Sequence, residues 1–176
     1  MINLRLLNNK KDAVKKISYT WLSHIQNKMM DFYSNNNRCI IMAPRRCGKS
    51  IFLCMQALAN KHRNTLLISN NKAMCNTLFQ QMIDVSISNN IGYEINDDII
   101  SINGYHNKFA TYNEVKTKKL QYIFDEIFID EYQFMPTDLD LLNVSNLILI
   151  GERTGPYHFD PNITGIFAGL NIKGED

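Results

Sequence analysis

Charge of one sign is scarce in this 176-residue chain: 19 Lys and Arg stand against 17 Asp and Glu, a formal net charge of +2. That balance excludes a global basic field of the kind that coats nucleic acid, so any contact with a phosphate backbone must be local. Cysteine is sparse and badly spaced for metal. Cys39, Cys47, Cys54 and Cys75 form no CxxC pair and have no His at ligand spacing, which argues against a zinc site and a disulfide framework and for a reducing compartment. No apolar run reaches membrane-spanning length, and Met1 to Arg5 opens no signal-peptide core. The expectation is a soluble intracellular protein with no membrane partner. Internal repeats and low-complexity linkers are also lacking, and the length fits one domain over 1–176 that buries most of its apolar surface around a single sheet.

What is present is a short apolar run, Arg38-Cys39-Ile40-Ile41-Met42, followed by Ala43-Pro44-Arg45-Arg46-Cys47-Gly48-Lys49-Ser50 and then an apolar stretch of helical length from Ile51 to Ala59. Strand, tight turn and helix in this order make a phosphate-binding loop, in which backbone N–H groups converge on one cavity and Gly48 lets the chain approach a phosphate closely. Lys49 would set a point charge against the β- and γ-phosphates, Ser50 would hold Mg²⁺ by its hydroxyl, and the positive end of the helix would lie under the anion. Ala43 departs from the glycine usual at the first position. Cys47, beside a helix N-terminus, is a candidate thiolate, although a small residue that simply fits is the commoner reading.

A second constellation closes the run Tyr122-Ile123-Phe124-Asp125-Glu126-Ile127-Phe128-Ile129-Asp130-Glu131. Asp130 would hold Mg²⁺ through water, and Glu131 would polarise the attacking water as general base. The strand carrying them is expected beside the loop-bearing strand, although the later strand Asn146 to Ile150 is also read as lying between the two. Asp125-Glu126 precedes the apolar run and reads as its solvated entry. Between the two constellations, Thr65-Leu66-Leu67-Ile68-Ser69 predicts a strand, and Met74, Cys75, Leu78, Phe79, Met82 and Ile83 line one face of a following helix. Ile99 to Ile102, Asn103-Gly104 and Tyr105 onward predict a hairpin. Lys108, Lys116, Lys118 and Lys119 with Phe109 and Tyr112 offer a local patch for DNA, against the plainer reading of a solvated loop.

Upstream, Trp21, Leu22, Ile25, Met29, Phe32 and Tyr33 recur at helical spacing, which predicts a helix from about Thr20 to Tyr33 that Asn35-Asn36-Asn37 ends. Lys10, Lys11, Lys15 and Lys16 ahead of it read as a solvated face. Gln26, within the helix, lies ahead of the loop at the interval where helicase-like ATPases place an amide that reads the adenine edge; a surface Gln is an equal reading. Downstream, Thr137 caps a short helix through Leu142, and Asn146 to Ile150 is a buried strand running into Gly151-Glu152-Arg153-Thr154. A strand near Gly165 to Leu170 completes five parallel strands, with a fraying tail over 171–176. The alternation predicts an α/β fold with a central, mostly parallel sheet flanked by helices, and with the phosphate loop it resembles a three-layer P-loop (RecA/ASCE-like) domain. It divides into an arm and adenine-side helix over 1–34, a nucleotide-binding core over 35–170, and the tail.

The loop and the acidic strand together resemble the ATPase domain of the terminase large subunit, the motor that packages viral DNA. Pro44-Arg45-Arg46-Cys47-Gly48-Lys49-Ser50 is similar to that family's Pro-Arg-Arg-x-Gly-Lys-Thr loop, and Ile129-Asp130-Glu131-Tyr132-Gln133-Phe134 to its acidic motif. The resemblance implies ATP and Mg²⁺ as ligands and assigns Arg45 to charge stabilisation at the γ-phosphate. It places a coupling residue after the Asn146–Ile150 strand, where Thr154 is the best fit, with Gln133 as a further candidate. It also implies double-stranded DNA, a homo-oligomeric ring, a portal or capsid component and a nuclease, here on a separate subunit, as partners. The setting would be a host cytoplasm or nucleus, or the virion. Gly151-Glu152-Arg153-Thr154 departs from the family's Ser- or Thr-rich coupling motif. Two other readings compete: a phosphotransferase of the thymidine-kinase type, suggested by Asp130-Glu131-Tyr132-Gln133-Phe134, and a non-hydrolysing ATP-binding scaffold for a nuclease subunit.

Overall fold

The computed structural model describes residues 24–59, 62–134, 146–152 and 168–172. The lysines at 10, 11, 15 and 16, Trp21, Leu22, the expected helix over 137–142, Arg153, Thr154 and the last four residues lie outside the described residues. Helix α1 (His24–Asn35) leads into β1 (Arg38–Ala43), α2 (Lys49–Ala59), β2 (Thr65–Ser69) and α3 (Lys72–Ser88). An antiparallel set follows, β3 (Glu94–Asn96), β4 (Ile99–Ile102) and β5 (Tyr105–Thr111), then α4 (Tyr112–Lys118), β6 (Glu126–Asp130), β7 (Leu147–Glu152) and β8 (Ala168–Asn171). The eight strands form one sheet in the order β3-β4-β5-β2-β6-β7-β1-β8, parallel from β5 to β8 and antiparallel at β3 and β4. The expected α/β class, with a mostly parallel sheet flanked by helices, is what forms.

The central strands alternate with the period of two that a sheet buried on both faces requires. Cys39, Ile41, Leu67, Phe109, Phe128, Ile148 and Ile150 pack with α1, α2 and α3, while Ile40, Met42, Leu66, Ile68, Ile127, Ile129, Leu147 and Leu149 fill the opposite core with α4. The asparagines after α1 end it by a definite mechanism: Asn35 Nδ2 donates to Asp31 O and Asn36 Nδ2 to Phe32 O, each at 2.7 Å, so the amides occupy terminal carbonyls. Asn71 caps α3 by accepting from Met74 N at 3.0 Å. The Asn103-Gly104 turn joins β4 to β5 with both residues left-handed, φ 53° and 83°, as a two-residue hairpin demands.

Four expectations need correction. The second arm of the hairpin, β5, pairs in parallel with β2, so six of the described strands rather than five run parallel; the polar stretch His106-Asn107-Lys108 within it disguises it. The acidic strand is not directly beside the loop-bearing one: β7, the Asn146 to Ile150 strand read as lying between them, separates the two. Phe109 and Tyr112 are buried core residues and Lys108 Nζ pairs with Asp98 Oδ1 at 2.6 Å, so the lysine-rich segment presents no stacking aromatics of its own. Asn171 belongs to β8, and Ile172 is buried with its N–H donating to Met42 O at 2.8 Å, so the ordered core passes the expected boundary at 170.

Glu126 is a further departure. It is 0% exposed rather than solvated: the Tyr33 hydroxyl donates to its carboxylate and Arg63 Nη1 lies 3.8 Å away. Tyr33 itself stands edge-on to Phe52 of α2 and Phe128 of β6, so the carboxylate is the polar end of the packing that joins α1 to the sheet. Asp125, exposed, accepts from Asn64 N. Glu126→Ala should therefore cost about 3 kcal/mol of stability by stranding the groups that face it. Urea denaturation measures this, and a midpoint equal to the parent's would contradict it.

Candidate active site

The phosphate loop forms where β1 runs out at the C-terminal edge of the sheet. Ala43 still belongs to β1, fully buried and in register with Glu152 of β7, which explains why a Cβ is tolerated at the motif's first position. The chain then turns through Arg46 (φ 56°) and Gly48 (φ 82°), both left-handed. Gly48 O starts α2 by accepting from Phe52 N at 2.9 Å and also accepts from Gln26 Nε2 at 3.1 Å. A Cβ on Gly48 would overlap that Gln26 amide, so α1 closes directly over the glycine. Gln26, proposed as the adenine-side amide, is thus in contact with the loop. Lys49 is only 6% exposed; its Nζ donates to Pro44 O at 3.0 Å and lies 4.0 Å from Glu131 Oε1.

The acidic end of β6 meets this loop. Ser50 Oγ donates to Asp130 Oδ2 at 2.8 Å, and Glu131 N donates to Asp130 Oδ1 at 3.1 Å. Burial pushes the Asp130 carboxyl up to about 6; the Ser50 hydroxyl opposes this, the Glu131 charge adds to it and Lys49 opposes it. Glu131 sits on left-handed backbone, φ 52°, a conformation a non-glycine residue holds at a cost on the order of 1 kcal/mol or more. Gln133 Nε2 donates to Glu131 Oε2, and Gln133 Oε1 accepts from Glu152 N at 3.2 Å. Arg45 is 75% exposed and ion-paired with Glu152, whose carboxylate raises the guanidinium's pKa. The structure thus brings together Gln26, the loop from Ala43 to Ser50, Asp130, Glu131 and Gln133.

At Cys47 burial raises the thiol and outweighs the pull of Lys49 and the backbone amides, which favours the commoner reading of a small residue that fits over that of a thiolate. All four cysteines are free. Two contacts escape sequence reasoning, the Pro44 carbonyl that holds Lys49 and the role of Gly151. A Cβ on Gly151 would meet Gln133 Oε1 at 2.5 Å and Tyr132 Cδ1 at 2.9 Å. A glycine between Ile150 and Glu152 at the end of a buried strand was the only signal for it.

The donor set fits magnesium shared with phosphate. The hydroxyl of Ser50 and the carboxylate of Asp130, both hard oxygen donors, already touch, and one or two such ligands suffice when phosphate oxygens and water supply the rest. No group of three or more His, Cys, Asp or Glu able to hold a metal unaided occurs among the described residues.

A family model described as terminase large subunit, T4likevirus-type, N-terminal, matches residues 40–159. No curated protein matches the chain by sequence. Among solved structures, a mutant large-terminase ATPase domain from Thermus phage P74-26 is similar with a TM-score of 0.61 at 10% identity, over 85% of this chain and 80% of that one. The N-terminal domain of the DNA packaging ATPase of bacteriophage phi29 gives a TM-score of 0.56 at 11% identity, over 81% of this chain and 85% of that one. A chain of the phi29 viral genome packaging motor assembly gives 0.56 at 11%, over 84% of this chain and 52% of that one. At such identities these likenesses are of fold.

The raised Asp130 carboxyl carries a signed pH dependence. Its folded value, about 6, exceeds the ordinary 3.8, so its contribution to stability is full below 3.8 and is lost as pH rises through about 6. The loss is on the order of 3 kcal/mol. Metal-free protein should therefore lose Tm between pH 4 and pH 7 relative to Asp130→Asn. Parallel Tm curves for the two proteins across that range would refute this.

Proposed function

The chain belongs to the terminase large subunit family, in its T4-like type, and from that premise we propose that it hydrolyses ATP with Mg²⁺ to drive double-stranded DNA into a viral capsid. The observation that carries this reading is the hydrogen bond from Ser50 to Asp130 at 2.8 Å, with Lys49 and Glu131 facing each other 4.0 Å apart beside it. Those four side chains serve one triphosphate: a lysine for its charge, a hydroxyl and a carboxylate for its metal, and a second carboxylate for water.

In this reading the loop amides and Lys49 bind the β- and γ-phosphates, and Gln26, on the α1 side of the loop, faces the adenine end. Ser50 and Asp130 would hold magnesium, which supplies neutralisation of phosphate charge when bound. Glu131 takes a proton from the attacking water. Arg45, an exposed residue of the loop, stabilises charge on the γ-phosphate, an effect worth roughly three to five orders of magnitude in rate where an arginine fills this role. Gln133 and Thr154 are the coupling candidates.

The partners proposed are double-stranded DNA, further copies of the chain in a ring, a portal or capsid component and a nuclease. The family membership supports them. No helix among the described residues is long and apolar enough to cross a membrane.

The test is phosphate release from Mg·ATP with and without duplex DNA. Lys49→Ala should abolish it. Glu131→Gln should bind ATP within a few-fold of the parent and hydrolyse it at least a hundredfold more slowly. Parent-rate hydrolysis in either variant would remove the assignment, and phosphate transfer to a nucleoside instead of water would replace it with a kinase.

A further inference from the structure

We propose that Gln133 is a positioning residue that ties the pose of Glu131 to the end of β7, and through it to the phosphate loop. This rests on the reading of Glu131 as the base. Glu131 carries a long side chain on the first residue after β6, 19% exposed, and nothing in its own backbone fixes its rotamer. A base must be held near the line of attack to be effective. The single planar amide of Gln133 supplies the tether, with Nε2 donating to Glu131 Oε2 and Oε1 accepting from the backbone N–H of Glu152 at 3.2 Å. The amide's orientation follows from its partners, since the reverse would set oxygen against carboxylate and NH₂ against N–H.

Both ends of the tether are defined by the fold. Glu152 is in register with Ala43, the residue from which the phosphate loop departs, and its side chain pairs with Arg45 of that loop. Gly151 provides the space: a Cβ there would strike Gln133 Oε1 at 2.5 Å and Tyr132 Cδ1 at 2.9 Å. A displacement of the loop therefore reaches Glu131 through one strand residue and one rigid amide. The coupling element is on this account the backbone of Gly151 and Glu152 together with the Gln133 amide.

The experiment uses Gln133→Met, which keeps length and removes donor and acceptor, and Gly151→Ala, which displaces the amide without touching nucleotide. In the protein without nucleotide or metal, hydrogen exchange at the Glu152 amide should accelerate at least tenfold in each variant, while Ile148 and Ile150 keep parent protection. With Mg·ATP, each variant should lose tenfold or more in kcat with KM within twofold. The double variant should be no slower than the slower single one. Unchanged exchange at Glu152 overturns the proposal, as does a parent kcat in Gln133→Met when Glu131→Gln is inactive. If Glu131→Gln itself turns over at the parent rate, the base assignment falls, and the role of Gln133 with it.

Discussion

The hydrogen bond from Ser50 to Asp130 joins two segments eighty positions apart in the chain and makes them one site. Each segment is defined by its own strand: the loop leaves β1, the carboxylates end β6, and β7 lies between them in parallel with both. Parallel order places the C-terminal ends of all three strands on one edge of the sheet, where ligands of open α/β folds bind. The apolar runs of β1, β6 and β7 are therefore part of the chemistry. A register slip of one residue would turn Asp130 to the other face of the sheet and away from Ser50.

That arrangement is unfavourable to the folded chain taken alone. Asp130 is buried to 5% exposure with its carboxyl pushed up to about 6, and Arg46 and Glu131 are held on left-handed backbone. Strain and buried charge gathered at one edge have a physical rationale, since a carboxylate that water solvates poorly has more to gain from a cation. The rest of the molecule tolerates it because the sheet is buried on both faces by apolar side chains, with α1 anchored through Tyr33 and Glu126.

Much of this was legible in the sequence because short-range chemistry writes itself locally. Gly48-Lys49-Ser50 after an apolar run specifies a strand, a turn and a helix; Asn103-Gly104 specifies a two-residue hairpin; Asn35 and Asn36 terminate α1 with their own side chains. What was not legible depends on neighbours distant in the chain. The burial of Glu126 requires Tyr33 to lie over it, and membership of β5 in the parallel sheet requires β2 beside it. Strand order is likewise a property of the whole sheet: the two motifs alone suggest adjacent strands, and it is the further buried strand ending in Gly151-Glu152 that reads as the one between β1 and β6.

The central claim is that Ser50 and Asp130 act on one metal shared with a triphosphate. A double-mutant cycle of Ser50→Ala and Asp130→Asn, read by calorimetric titration with ATP in the presence and absence of magnesium, tests it most directly. The account predicts that with magnesium the two losses in affinity overlap, the double variant binding little worse than the weaker single one, and that without magnesium the overlap vanishes. Losses that simply add with magnesium present would contradict it.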